Sequence, residues 1–403
     1  MLVRYYPGAG VFVTVCVAVA VCVPMSCGAA EWSAEPSVRV RREYYDNYNQ
    51  TVEQHHSVSG YMIGPKLVLG SRAEAWQING SAELSHWRYP GDSSLDRDDN
   101  TFNLVSQYAT ERDIWRLEGT SVRDSVFTYD RASADTGTVQ VPTLRETHGI
   151  SPSWTRMLTE TMQLQLAYQL NDVSYVNGQS VGLYDYRYGV TTARLTSQLS
   201  EQNQVIVIGG YSAFHVPSTG FDSINRNIQI GASRTFSESM QGTLLAGARR
   251  TESLTQGGKI IYRRELDPYE FIVFGRIAYI LVPVGVTTDT RSEKTGSTFN
   301  GSLEKKFERS QVNLTLARSL DPSGSGGQIE QDSIEFRWRR QMTSGFQFSL
   351  NVNTQNSRIV EGNISNNDRK YYYVEPSVYW QLSPEWTLSG AYRHTNLKRD
   401  YES

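Results

Sequence analysis

The chain has 403 residues, with 39 Lys and Arg against 42 Asp and Glu, for a formal net charge of −3. That balance leaves no electropositive footprint for nucleic acid. Its 24 Tyr, 8 Trp and 32 Gly, beside a negative mean hydropathy, argue against helical membrane spans and against a soluble α/β enzyme with long apolar helix faces.

Residues 1–30 read as a signal peptide. Arg4 is their only charge, "VFVTVCVAVAVCV" (11–23) is an apolar run too short for a helical span, and "GAA" (28–30) supplies small residues for cleavage. All three cysteines, Cys16, Cys22 and Cys27, lie in this leader, so cleavage after Ala30 leaves neither a disulfide nor a thiolate metal site. Residues 31–57 follow as an N-terminal segment, with "SVRVRREYYDNYNQT" (37–51) as a candidate first strand of poor alternation.

From residue 58 onward the chain reads as paired strands around short polar turns. The first pair, 58–69 and 73–87, meets at Gly70–Ser71–Arg72. Later pairs turn at Glu111–Arg112, Thr159–Glu160, Glu201–Gln202, Ser237–Ser239, Glu308–Ser310, Thr343–Gly345 and Ser383–Glu385. The connectors between pairs are longer and rich in Asp, Asn, Gly and Ser, at 88–99, 125–145, 172–185, 216–222, 321–330 and 357–369, with a larger one at about 253–294. Short turns at one end and long loops at the other are the layout of an outer-membrane barrel, and strands of ten to fourteen residues are long enough to cross hydrocarbon at a tilt. A single such strand would look the same in a soluble sandwich. Sandwich strands are shorter, however, and their turns do not sort into two length classes.

The strands carry two chemistries. In "MLTETMQLQLAYQL" (157–170), Met162, Leu164, Leu166, Tyr168 and Leu170 alternate with Gln163, Gln165, Ala167 and Gln169. Leu314 and Leu316 are expected toward lipid, with Asn313 and Thr315 inward. The charges Arg194, Glu335, Arg337 and Arg339 are expected to face the lumen, because an Arg facing lipid at the midplane costs about 2–4 kcal/mol. Trp76, Trp87, Trp115, Trp154, Trp380 and Trp386, near strand ends, suit interfacial belts.

The expected fold is therefore all-β: a transmembrane antiparallel up-and-down barrel spanning 58–403, closed because lipid leaves no partner for an open edge. Eight hairpins plus the 37–51 strand give seventeen, and barrels of this kind are usually even-numbered. The polar end "NLKRDYES" reads as the start of an outer loop, so the expectation is eighteen strands with the last one missing from this chain. The alternative is sixteen strands, with 31–57 as a periplasmic or plugging segment.

No catalytic, cofactor-binding or metal-binding residues are singled out. His55, His56, His86, His148, His215 and His394 show no ligand spacing, and there is no GxSxG nucleophile elbow. "PSGSGG" (322–327) lacks the Lys and Ser/Thr of a phosphate-binding loop and reads as a flexible outer loop. The 253–294 stretch, with "GKIIYRRE" and "FIVFGRIAYILVPVGV", is too apolar for a solvated loop. It could plug the barrel, cover its mouth, form an extra hairpin above the membrane or bind a partner.

The stretches "REYYDNYNQTV", "GPKLVLGSRAEAWQINGSAELSHWRY", "ISPSWTRMLTETMQLQLAYQLNDVSY", "YDYRYGVTTARLTSQLSEQNQV" and "SLDPSGSGGQIEQD" resemble outer-membrane β-barrel proteins of Gram-negative bacteria that accompany exopolysaccharide and protein-sorting gene clusters. The resemblance runs over about residues 40 to 400. It implies a role in envelope export or polymer passage, and a final strand ending in an aromatic residue, where this chain ends in Ser403. The expected function is a non-enzymatic channel or export conduit for polar solute or polymer, without cofactors; the alternative is a docking barrel with no open pore. Expected partners are outer-membrane lipid and lipopolysaccharide, the barrel assembly machinery and periplasmic export components, with no nucleic acid.

Overall fold

The computed structural model describes residues 2–4, 8–18, 30–48, 56–126, 143–266, 279–361 and 367–401. Among these residues nineteen strands form one sheet. The first seven are β1 (Leu2–Arg4), β2 (Gly8–Ala18), β3 (Glu31–Tyr45), β4 (Val58–Arg72), β5 (Trp76–Arg88), β6 (Arg97–Ala109) and β7 (Asp113–Ser125). Then come β8 (Leu144–Met157), β9 (Met162–Tyr175), β10 (Tyr186–Gln198), β11 (Asn203–Val216), β12 (Phe221–Ser237) and β13 (Met240–Leu266). The last six are β14 (Tyr279–Lys306), β15 (Ser310–Ser323), β16 (Gly327–Gln341), β17 (Phe346–Glu361), β18 (Asn367–Gln381) and β19 (Trp386–Tyr401).

Each strand from β3 to β19 pairs antiparallel with its neighbours in sequence, and β2 lies between β19 and β3, so β2–β19 close into a ring of eighteen. β1 prolongs the β2 edge along β19, from Leu2 opposite Asp400 to Arg4 opposite Lys398. The eighteenth position is thus held by residues 8–18, part of the segment read as a leader. "GVFVTVCVA" has β-branched Val at every second position, so the run that suits a leader's apolar stretch also has strand propensity.

The short turns fall within a residue or two of the expected places, except that the first lies at 73–75 rather than 70–72. Two long connectors differ more. The 321–330 loop shrinks to a turn at 324–326, because β15 and β16 pair as far as Ser323 opposite Gly327. Most of 253–294 is hairpin, with β13 and β14 paired from Met240 opposite Lys305 to Leu266 opposite Tyr279. The intervening 267–278, the bulk of 125–145 (127–142) and 362–366 lie outside the described residues.

Register sorts the side chains into two faces. On one, Leu69, Gly80 and Leu104 follow one another across β4, β5 and β6, then Gly119 and Ile150 across β7 and β8. The same face carries Val207, Ile230, Ala246 and Phe299 across β11–β14, and Leu316, Ile334 and Thr354 across β15–β17. Large apolar residues stay bare on it: Ile228 and Ile230 are each 62% exposed and Leu244 is 64% exposed. A belt of that kind is stable only against acyl chains, which makes this the outer face. Leu314 and Leu316 lie on it and Asn313 and Thr315 on the other, as the alternation requires.

Near the short turns the belt ends in aromatic rings. Trp76 meets Tyr108 at 4.8 Å, Trp115 stacks on Trp154 at 5.6 Å, and Phe346 meets Trp380 edge-on at 6.1 Å. Trp87 departs from the expected belt. Its position in β5 is odd where the lipid-facing positions are even, so it points inward and is buried with Tyr45, Met62, Tyr89 and Leu95.

Candidate functional site

The expected lumen charges are four residues on the inner face, toward the short-turn end. Arg194 stands between Gln165 and Ile208, and Arg339 between Gln311 and Ser349. Glu335 stands between Thr315 and Asn353, and Arg337 between Asn313 and Asn351. Glu335 and Arg337 are brought together, with an Arg337 Nη2 to Glu335 Oε1 distance of 2.6 Å, so their charges cancel locally. Arg194 donates only a 3.4 Å hydrogen bond to Thr196 Oγ1. Among the described residues neither Arg194 nor Arg339 has a carboxylate within ion-pair distance. Several other inner-face charges are paired, including Arg39 with Glu83 at 2.7 Å, Arg116 with Glu118 at 2.5 Å and Arg393 with Glu375 at 2.5 Å.

The other end of the barrel holds an arrangement that alternation did not suggest. Pairing between β14 and β15 stops at Phe299 opposite Arg318, whereas β15 and β16 stay paired to their tip. On the other side β16 stays paired with β17 as far as Gln328 opposite Glu361, with a one-residue register slip at Gln328–Ile329 that bends the ladder. Released from β14 and bent at the slip beside β17, the hairpin folds into the mouth. Ser323, Gln328 and Ile329 are each only 1% exposed. "PSGSGG", expected as a flexible outer loop, is therefore a packed insert.

Three contacts among the described residues help hold it. Tyr184, in the β9–β10 loop, donates its backbone N–H to the Gly324 carbonyl at 2.7 Å. Ser223 Oγ on β12 donates to Gln328 Oε1 at 2.8 Å. Arg249 on β13 pairs with Glu330, which also accepts from Arg358 Nη2 at 3.1 Å. Ser223 and Arg249 are on the inner faces of their strands, while Gln328 and Glu330 are on the face of β16 that looks to lipid lower down. The tip is thus tucked inside the wall, with the inner faces of β12 and β13 lying over its back. Gly326, at φ 88°, makes the turn possible, and an added Cβ would lie 3.1 Å from the Tyr184 ring.

The floor beneath Tyr184 is apolar. Tyr175, Leu183, Tyr186, Phe214, Val216 and Phe221 are buried together there, with Phe214 meeting Tyr186 at 5.4 Å and Phe221 at 5.9 Å. Across the mouth, Tyr89 carries the second inward cluster. Its hydroxyl donates to Glu43 Oε1 at 2.6 Å and accepts from Arg97 Nη1 at 2.9 Å, and burial pushes its pKa up, so the phenol stays neutral. A cavity of about 660 Å³ opens beside it, lined among others by Tyr48, Arg88, Arg97 and Arg123.

The described histidines in contacts sit in rim pairs or bonds: His86 with Asp98 at 3.0 Å, His215 with Asp222 at 2.6 Å and His148 with Ser121 at 3.1 Å. Among the described residues no group of three or more His, Cys, Asp or Glu is placed to hold a metal ion. The sequence signal for the insert was present but weak: a six-residue Pro-, Gly- and Ser-rich stretch between strands, and an Arg at an inner-face position of "GARRTE".

A closed antiparallel barrel with an apolar outer belt, aromatic rings at the short turns and a polar interior defines the class: the chain is an outer-membrane β-barrel. No family model and no curated protein matches it. Solved structures do. The chain is similar to the ferric-catecholate import receptor Fiu from E. coli K12, at 11% identity and a TM-score of 0.44, over 89% of this chain and 70% of that one. It is similar also to BauA, the ferric preacinetobactin receptor from Acinetobacter baumannii, at 10% identity and TM-score 0.42, over 99% and 81% of the two chains. A third is OccK5 (OpdH) from Pseudomonas aeruginosa, at 8% identity and TM-score 0.36, over 98% of both. These likenesses are to large outer-membrane barrels. The resemblance to barrels of exopolysaccharide and protein-sorting clusters does not hold: two of these three similar structures are receptors for ferric ligands.

Proposed function

We propose that the protein is a gated conduit for polar, preferentially anionic, solute across the outer membrane, with the β15–β16 tip as its gate. The observation that carries the reading is the insert itself: a hairpin unzipped from β14, kinked beside β17 and held inside the mouth by a few polar contacts. A barrel meant only as a docking platform gains nothing from a wall segment that leaves the wall. The inner face supports passage of polar solute, with Gln163, Gln165, Asn313, Asn351 and Asn353 along it. Charge selection falls to Arg194 and Arg339, which have no carboxylate within ion-pair distance among the described residues, rather than to the compensated Arg337.

The test is single-channel conductance of the full chain in a planar bilayer, with reversal potential measured in a salt gradient. Arg339→Gln and Arg194→Gln are expected to shift selectivity toward cations, and Arg337→Gln to shift it further in that direction only by unmasking Glu335. A reversal potential unmoved by Arg194→Gln and Arg339→Gln together would defeat the assignment of selectivity. A silent barrel even after deletion of 322–328 would favour the docking alternative.

A further inference from the structure

On the outer face just beyond the apolar belt, at the loop end, charged residues replace aliphatic ones. Around β12–β14 they form a cluster whose layout is poor for stability. Arg226 on β12 stands directly opposite Arg250 on β13, and Glu252 on β13 directly opposite Glu293 on β14. Like charges facing each other across a ladder are unfavourable. They are offset by diagonal pairs, Arg226 to Glu252 at 2.6 Å and Arg250 to Glu293 at 2.8 Å, and by a longer contact along β13, Arg250 to Glu252 at 3.6 Å. All four side chains are well exposed, with Arg226 at 53% and Arg250 at 56%, and exposed pairs return little. Arg291 stands one rung further out, opposite Leu254 on the same face, and its field reaches Glu252. The cluster carries three arginines against two glutamates.

Directly below it lie the barest apolar side chains of the wall. Ile228 and Ile230 are two and four residues from Arg226 along β12, and Leu244 and Ala246 continue the patch on β13. A fan of guanidinium groups above exposed aliphatics matches an amphipathic anion: acyl chains below, phosphate above. Guanidinium forks bind phosphate in two-pronged fashion, and a phosphate between Arg226 and Arg250 would remove the repulsion that the ladder imposes.

We propose that Arg226, Arg250 and Arg291, with Ile228, Ile230 and Leu244, form a binding site for a phosphorylated glycolipid of the outer leaflet. The site is on the outside of the wall and works whether or not the lumen conducts, so it stands apart from the gate reading.

The experiment is native mass spectrometry of the detergent-solubilised full chain, loaded with lipid A or with enzymatically dephosphorylated lipid A. The wild type is expected to retain lipid A about tenfold better than the dephosphorylated form, as two solvent-exposed charge pairs together imply. Arg226→Gln/Arg250→Gln should abolish that preference. Arg226→Lys/Arg250→Lys, which keeps the charge but loses the fork, should fall between. Arg263→Gln, a cation on the projecting β13–β14 hairpin paired with Glu265 and remote from the belt, should leave it intact. Heat-modifiable electrophoretic mobility confirms folding for each variant. Equal retention of the two lipids by the wild type, or an unchanged preference in the Gln variant, overturns the proposal. So does full displacement of lipid A by millimolar inorganic phosphate, which would mark the site as one for free anion.

Discussion

Glu330→Gln isolates the contact that matters most to a gate in the barrel mouth. The Arg249 side chain is 2% exposed and that of Glu330 14% exposed. In the variant the guanidinium stays buried, keeping a 3.3 Å bond to Thr251 Oγ1 but losing its counter-charge. Removing one partner of a buried pair costs about 3–5 kcal/mol, because the other charge is left uncompensated. With the tip swung out, Arg249 faces water in the lumen and is indifferent to the change. The penalty therefore falls on the closed arrangement alone. Taking the lower value, about 3 kcal/mol, at about 1.4 kcal/mol per decade, the closed-to-open ratio drops about a hundredfold. Arg358→Gln provides the contrast. Its pair with Glu330 is at 3.1 Å, but the Arg358 side chain is 45% exposed, so its loss is worth under about 1 kcal/mol and at most about fivefold. Open probability in single-channel recordings measures both. Glu330→Gln with a normal heat-modifiable barrel and an unchanged open probability would refute the reasoning, as would equal effects from the two variants.

Other outcomes follow from packing and protonation. Gly231 and Gly247 face inward where β12 and β13 cross closely: an added Cβ would lie 1.9 Å from the Leu244 carbonyl oxygen in one case and 1.9 Å from that of Ile228 in the other. Gly231→Ala is expected to force the strands apart and destabilise the barrel by about 1–3 kcal/mol in urea unfolding, with no such effect from Gly119→Ala, where nothing lies within 4 Å. Tyr89→Phe removes a buried hydroxyl that serves both Glu43 and Arg97, and should cost about 1–3 kcal/mol by the same measurement. Burial pushes the pKa values of Tyr48 and Tyr89 above the ordinary value of 10.0. For an acid whose folded pKa is raised, the stabilisation is complete below the unfolded pKa and is lost as pH climbs toward the folded one. Barrel stability should therefore fall with rising pH above about 10, and less steeply in Tyr89→Phe.

Much of this architecture was legible in the sequence because lipid imposes a strict rule on both faces of a strand. Leu314 and Leu316 had to face one way and Asn313 and Thr315 the other, and the short polar turns fixed where each strand reversed. Alternation also placed Arg194, Glu335, Arg337 and Arg339 on a single face. What it could not foresee was partnership: Arg337 is neutralised by Glu335 two residues away, while Arg339 is not. Trp87 was misplaced because an aromatic near a strand end suits either an interfacial belt or an inward cluster, and only register decides between them. The rule weakens beyond the membrane, where water can satisfy the backbone. There β14 parts from β15, "PSGSGG" packs inward rather than waving outward, and most of 253–294 becomes a projecting hairpin. The leader-like 8–18 run illustrates a further ambiguity, since apolar Val-rich sequence satisfies both a secretion signal and a strand.

The gate is tested most directly by fixing it in place. Ser223→Cys and Gln328→Cys, in a chain with Cys16, Cys22 and Cys27 replaced by Ser, can be joined by a short reducible bis-thiosulfonate crosslinker. Conductance through the full chain is then recorded before and after addition of reductant. A gate at the β15–β16 tip predicts a barrel held shut while crosslinked and opening after reduction. Identical conductance in the two states would contradict it.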